Sequence, residues 1–336
     1  MLLRAGDFRS LIFGLPIDEA RFAVRGFNCA SPARARLEQV GTNVVSHYNL
    51  AVAEGCGANL AEHLGFVSKE LCGFAHEGAA MGLFAIDALA PFSRGNFERF
   101  IEGQAKDHLY MAFIGAGLAL GALHLPYERA IRRYEHFSRI LIMDGYGFFH
   151  AFFRTEPTVR RQRIPAKVTA NETYRERYDA GVGRALWFVE GGDPDRLATT
   201  IAAFPPVRRP QLWAGVGLAA TYAGGVSREW IRRLVEVGAG HEVAMAQGSL
   251  LACHARYRAG NPAAHNDLAA QTLTGLTSEQ LHRIANDRLA DIDENAATTN
   301  GQDTWSVWLA LIRSSLASAM AHAPSTLRRV EAGLAV

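Results

Sequence analysis

Small-residue segments recur along the middle of this chain at nearly constant intervals, and no other feature narrows its possible folds as much. The segments are EGAAMGLFAIDAL around Gly82, FIGAGLALGAL around Gly117, DGYGFFHAFF around Gly147, GVGRALWFVEGG around Gly183, GVGLAATYAGG around Gly217 and AQGSLLACHARYRAG around Gly248. Successive glycines lie 35, 30, 36, 34 and 31 residues apart, and a weaker copy, VGTNVVSHYNLAVAEG from Val40, lies 41 residues upstream of the first. Such a period marks a unit that cannot bury its apolar face alone and does so by stacking on its neighbours.

The punctuation repeats as well. Gly191-Gly192 precedes Asp193-Pro194, Gly224-Gly225 precedes Val226-Ser227, and Gly260 precedes Asn261-Pro262. Glycine past a helix end accepts left-handed geometry. The Asp, Ser or Asn that follows can cap the next helix, and Pro suits its first position. Between the segments, apolar residues keep helical spacing: Phe97, Phe100 and Ile101; Tyr127 through Leu141; Leu197, Ile201 and Phe204; Trp230 through Val235; Leu268 through Leu276. The expected fold is all-α, with helical hairpins of about 30–36 residues that resemble degenerate tetratricopeptide units and wind into an α-solenoid or α/α superhelix. Residues 1–70 form an N-terminal helical cap in this reading. Residues 71–276 form the array, interrupted by a polar insertion at 155–178, and 277–336 supply capping helices that open on the capping box Thr277 to Gln280.

A formal net charge of +2 over 336 residues, with one dense basic run at Arg160, Arg161, Arg163 and Lys167, does not make a nucleic-acid face. The longest apolar stretch, Leu109 to Leu123, is short for a membrane span. The four cysteines, Cys29, Cys56, Cys72 and Cys253, form no C-x-x-C pair and fit a reducing cytoplasm. Charged residues before the first apolar run argue against a signal peptide. No cofactor is implied, and no metal: His76-Glu77 and His241-Glu242 lack the second histidine of H-E-x-x-H. NDRLADIDE, from Asn286, has a terpene-cyclase-like spacing without the hydroxyl residue, and reads as an exposed acidic helix.

The informative polar residues sit inside the apolar segments. Glu77, Asp87, Asp144, His150 and Arg184 are candidate catalytic groups, since buried charge is costly unless paired or used. Structural salt bridges or hydrogen bonds, such as Asp144 or Glu77 with Arg184, are the alternative for the charged residues, and a satisfied core histidine the alternative for His150. Tyr146, Phe149, Trp187, Trp213, Tyr222 and Gln247 are candidate ligand contacts, because aromatic walls suit a long unsaturated molecule.

The strings GFAHEGAAMGLFAIDAL, MDGYGFFHAFF, GVGRALWFVEGGDPDRLATTIAAF and LWAGVGLAATYAGG resemble an uncharacterised bacterial family known as enediyne biosynthesis proteins, encoded beside enediyne polyketide synthases. The resemblance runs from about Phe13 to Asn261 and carries no assigned catalytic residues. It implies an accessory protein that binds a hydrophobic polyene intermediate or scaffolds pathway enzymes. A cyclase or isomerase acting on the polyene and a generic protein-binding adaptor are the other readings. A closed apolar cavity with inward acids would favour the enzyme; an open groove would favour the adaptor.

Overall fold

The computed structural model describes residues 5–89, 95–125, 127–292 and 303–322. Among them every regular element is helical, with no strand. Seven long helices carry the glycine-rich segments: α1 (Arg34–Glu54), α2 (Lys69–Leu89), α3 (Leu109–Leu123), α4 (His136–Phe153), α5 (Glu172–Val189), α6 (Arg209–Tyr222) and α7 (Glu242–Arg258). Each packs chiefly on the one before and the one after. Short outer helices return the chain between them, including Asn96–Glu102, Tyr127–Ile131, Pro194–Ala202, Arg228–Val237 and Ala264–Thr274. The inner helices therefore run parallel. Two further helices, α8 (Ser278–Ala290) and α9 (Thr304–His322), complete the described chain.

Glycine sets the spacing between inner helices. In α3 to α6 the segments carry G-x-G: Gly115/Gly117, Gly145/Gly147, Gly181/Gly183 and Gly215/Gly217. A Cβ on the first of each pair would stand 2.3, 2.0, 1.9 and 2.0 Å from the carbonyl oxygens of Glu77, Ile114, Asp144 and Ala180 in the preceding helix. On the second it would stand 2.1, 2.1, 2.1 and 2.2 Å from those of Ile142, Tyr178, Leu212 and Met245 in the following helix. Neither position admits a side chain, and the bare Cα–H groups face carbonyl oxygens, a contact worth about 0.5–1 kcal/mol. Gly78 and Gly248 take the first role in α2 and α7, against Val44 and Ala214. The structural register is thus Gly78, Gly115, Gly145, Gly181, Gly215 and Gly248, with steps of 37, 30, 36, 34 and 33. The sequence alignment, which mixed Gly82 and Gly248 with second-position glycines, was out of phase at both ends.

A second device repeats in the same register. Six residues before the first glycine, Arg139 of α4 donates to the carbonyls of Tyr134 (2.7 Å) and Arg132 (2.9 Å), and Arg209 of α6 to those of Phe204 (2.8 Å) and Ala202 (2.7 Å). A cation there satisfies the open carbonyls of the outer segment just before it. This turn corrects the reading of Tyr127 through Leu141 as one helical face: Glu135 is extended, and the face divides between Tyr127–Ile131 and the start of α4.

Gly192, Gly225 and Gly260 lie just past the ends of α5, α6 and α7 with φ of +67°, +102° and +63°, as their punctuation predicts. Asp193 and Ser227 cap the next helices, and Thr277 and Gln280 form the capping box of α8. The polar insertion is shorter than predicted. A single π turn at Glu156–Arg160 and a short helix at Ala166–Thr169 fill it, and residues 172–178 already belong to α5, where Arg177 and Tyr178 are buried. Likewise α1, inside the predicted cap, is packed on α2 as part of the stack.

The stack folds back on itself. Arg256 of α7 donates to the carbonyls of Tyr222 (2.7 Å), Glu70 (3.0 Å) and Lys69 (3.3 Å), joining α7 to the start of α2. The N-terminal segment crosses the C-terminal ends of α4 and α5: Arg25 donates to the Phe152 carbonyl (2.9 Å), Asn28 to that of Glu190 (3.1 Å), and Ser31 to that of Gly191. At the opposite end Trp305 of α9 stacks edge-on to Phe137, with 4.7 Å between centroids, and Arg313 donates to Gln247 at 2.5 Å. The inner faces of the helices thus surround a core covered at both ends.

Candidate functional site

The inner face of each helix is read off its glycine. Positions four and one before it, and three and seven after it, form one stripe at helical spacing. They are Phe74, Glu77 and Met81 in α2, Leu118 in α3, Asp144, Phe148 and Phe152 in α4, Arg177, Arg184 and Phe188 in α5, and Leu218 and Tyr222 in α6. Glu77 and Asp144 therefore occupy equivalent positions, whereas Arg184 sits one turn later. That offset lets Arg184 of one helix meet Asp144 of the helix before it.

Two cavities lie along this stripe. The larger, about 760 Å³ with its mouth, is walled by Val40, Val44 and Tyr48 of α1 together with Phe74, Met81, Phe148, Phe152, Phe188 and Leu218, and Glu77 reaches into it. The smaller, about 550 Å³ with its mouth, lies towards α9 and holds Asp144, Arg177, Tyr110 and Trp305. Arg184, Leu218 and Tyr222 belong to the walls of both and form the partition.

The polar groups at the partition are almost dry. Arg184 Nε lies 2.7 Å from Asp144 Oδ1, the salt bridge the sequence suggested. The oxygen lies off the N–H direction, so Nε and Nη2 of Arg184 remain without a hydrogen-bond acceptor among the described residues. The Arg184 guanidinium lies over the Phe148 ring, 5.0 Å from its centroid. Glu77 has no side-chain hydrogen-bond partner among the described residues. Burial pushes its carboxyl up to about 7; Arg184 pulls the other way and Asp144 adds to the rise. Burial also raises Asp144, against Arg184 and Arg177. The Tyr222 hydroxyl is buried without a partner among the described residues, and Arg256 lies over its ring at 3.9 Å. A carboxyl half-protonated near neutrality, facing an aromatic wall, can donate or accept one proton in a space with little competing water.

The other sequence candidates lie elsewhere. Asp87 accepts from Asn96 Nδ2 (2.8 Å) and the Phe97 N–H (2.9 Å), capping the helix Asn96–Glu102. His150 bonds through Nδ1 to the Tyr146 carbonyl (3.0 Å), and burial lowers it to about 4, so it is a neutral core histidine. Tyr146 packs on Tyr127, His150 and Tyr178, and Phe149 packs on Gly121. Trp187 donates to the Gly224 carbonyl at 3.2 Å, Trp213 stacks on His241, and Gln247 accepts from Arg313. None of these lines either cavity. Of the eleven candidates, Glu77, Asp144, Arg184 and Tyr222 remain. The ligand contacts chosen from the sequence did not include Phe74, Phe148, Phe152, Phe188 or Arg177; the signal was present in their fixed offset from the first glycine of each pair.

The chain matches the family model DUF1702, described as protein of unknown function, over residues 4–316. It belongs to that family. No curated protein and no solved structure matches it. The DUF1702 match takes in all seven inner helices and both cavities, so the family model spans the whole site. Among the described residues no helix is long and apolar enough to cross a membrane.

Proposed function

We propose that this protein binds an elongated, apolar, unsaturated molecule in the larger cavity, with Glu77 presented to it as a proton-exchanging group. The observation that carries this reading is the Glu77 carboxyl, buried and unpartnered among the described residues in a wall of Phe74, Phe148, Phe152 and Phe188. An uncompensated buried acid is costly, and aromatic faces suit a conjugated chain. The resemblance to enediyne biosynthesis proteins makes a linear polyene of polyketide origin the ligand class of choice, and a cytoplasmic accessory role in that biosynthesis the corresponding function. The hairpin array then acts as a tetratricopeptide-like superhelix turned inward around a small molecule. The raised Glu77 pKa favours a second reading in which the protein cyclises or isomerises the chain by protonation.

The test is titration with a fluorescent conjugated polyene fatty acid, together with mass spectrometry of small molecules carried by protein purified from a producing host. Saturable binding is expected at one site, blocked by Met81→Trp, which fills the cavity. Glu77→Gln should retain binding and lose any conversion of the ligand. Absence of binding, or binding untouched by Met81→Trp in a protein of unchanged helicity, removes the proposal and leaves the adaptor reading.

A further inference from the structure

A second cluster of chemically active side chains lies outside both cavities. Cys72 and His76 stand one turn apart on α2, and His108 closes the turn that leads into α3. Cys72 Sγ is 3.5 Å from His108 Nε2 and 3.6 Å from His76 Nδ1. Both imidazoles are buried, and the three ligand atoms lie within 4.8 Å of one another. Sulfur and nitrogen bound at about 2.3 and 2.0–2.1 Å to one tetrahedral ion are separated by about 3.5 Å, so both sulfur–nitrogen edges already have the length that such an ion requires.

We propose that Cys72, His76 and His108 form a mononuclear zinc site with its fourth position open to water or another ligand. The donor set, one thiolate and two imidazoles, is of the type zinc takes. Burial raises the Cys72 thiol and Arg256 only opposes that rise, so metal binding would have to displace the thiol proton. His108 Nδ1 is buried with no partner. His76 Nδ1 lies 2.8 Å from the Cys72 carbonyl, and the Gln104 backbone also bonds to this ring. Binding through Nδ1 gives up the Cys72 carbonyl and leaves the Gln104 backbone to accept from the N–H of this ring, the outer arrangement common around zinc-bound histidines. The imidazoles are stacked at 3.9 Å and 18°. A metal in the plane of both rings requires that stack to hinge open about the Cβ–Cγ bonds. The site ties the start of α2 to the loop before α3.

Metal-free protein titrated with Co²⁺ should bind one equivalent, develop a thiolate-to-cobalt charge-transfer band, and lose it on addition of Zn²⁺. Cys72→Ser should abolish the band, and His108→Ala should weaken zinc binding by more than about 100-fold, whereas Cys56→Ser should change neither. No thiolate band, or one that survives Cys72→Ser, overturns the proposal. If the variants lose helicity, the wild-type protein supplies the decisive measurement. Zn²⁺ should protect Cys72 from alkylation, read by mass spectrometry, and equal rates with and without zinc overturn the site.

Discussion

Glu77 shows how one side chain can set both chemistry and pH response. Its folded pKa, about 7, stands above the ordinary glutamate value, so folding favours the protonated form. The stabilising effect is complete below the unfolded value near 4.5 and is lost as pH rises through 7. At about 1.4 kcal/mol per unit, the chain should lose about 3 kcal/mol across that window. Glu77→Gln should flatten this segment of the stability curve, measured by denaturant midpoints from pH 4 to 8, and should be no less stable than wild type at pH 8. Asp144→Asn tests the neighbouring pair. It leaves Arg184 buried without its counter-ion, which costs about 3 kcal/mol or more. It also removes the group that adds to the rise in Glu77, so the midpoint of the Glu77 transition should move down. A stable Asp144→Asn protein with an unmoved transition would show that the two carboxyls do not share a field. These acids were legible as polar residues inside apolar helices. Asp87 looked the same in sequence, because only the three-dimensional return of the chain at Asn96 reveals it as a cap.

At the scale of elements, the glycine pairs are spacers whose replacement has a calculable consequence. Gly181→Ala would place a methyl 1.9 Å from the Asp144 carbonyl oxygen, and Gly147→Ala one 2.1 Å from that of Tyr178, both against backbone that cannot swing aside. Each should force α4 and α5 apart and lower stability by about 1–3 kcal/mol or more. Gly65, at the end of the helix Ala58–Gly65, meets nothing within 4 Å. Gly65→Ala should therefore be neutral or stabilise by up to about 1 kcal/mol. Thermal melts of the three variants check the pattern. Repeat length, most of the helix punctuation and, among the described residues, the absence of strands were readable from the chain, because glycine, proline and capping residues act locally; Asn261-Pro262 was the exception, since the helix it was expected to open starts at Ala264 with Ala263 at the cap position. The register was not readable. Several glycines in each segment compete for the same role, and only contact with two neighbouring helices distinguishes the first of a pair from the second. For the same reason Tyr146, Phe149, Trp187 and Trp213 were taken for wall residues: aromatic identity says nothing of which side of a helix faces inward until the glycine register is known.

For the molecule as a whole, the closing contact changes what kind of object the array is. A stack in which each helix touches only its neighbours loses structure from its ends, unit by unit. Here α7 is bound back to α2 through Arg256, which is fully buried, stacks on Tyr222 and donates to three carbonyls. Nothing in the sequence marked this arginine, because its partners are backbone oxygens some 34 to 187 residues away. Closure also creates the cavity, since Tyr222 and Phe74, which meet edge-on across the join, are both wall residues. Lysine at position 256 could not span three acceptors with a planar fork. Arg256→Lys should therefore cost about 1.5–3 kcal/mol for each hydrogen bond to the charged group that is lost. The loss should also have a spatial signature. Amide exchange should rise together at the N-terminal turn of α2 and the C-terminal turn of α6, while α4 and α5 keep their protection. Should exchange rise evenly along the whole chain instead, the stack would be cooperative through its glycine contacts alone, and Arg256 would be one buried residue among many rather than the join that closes the fold around its site.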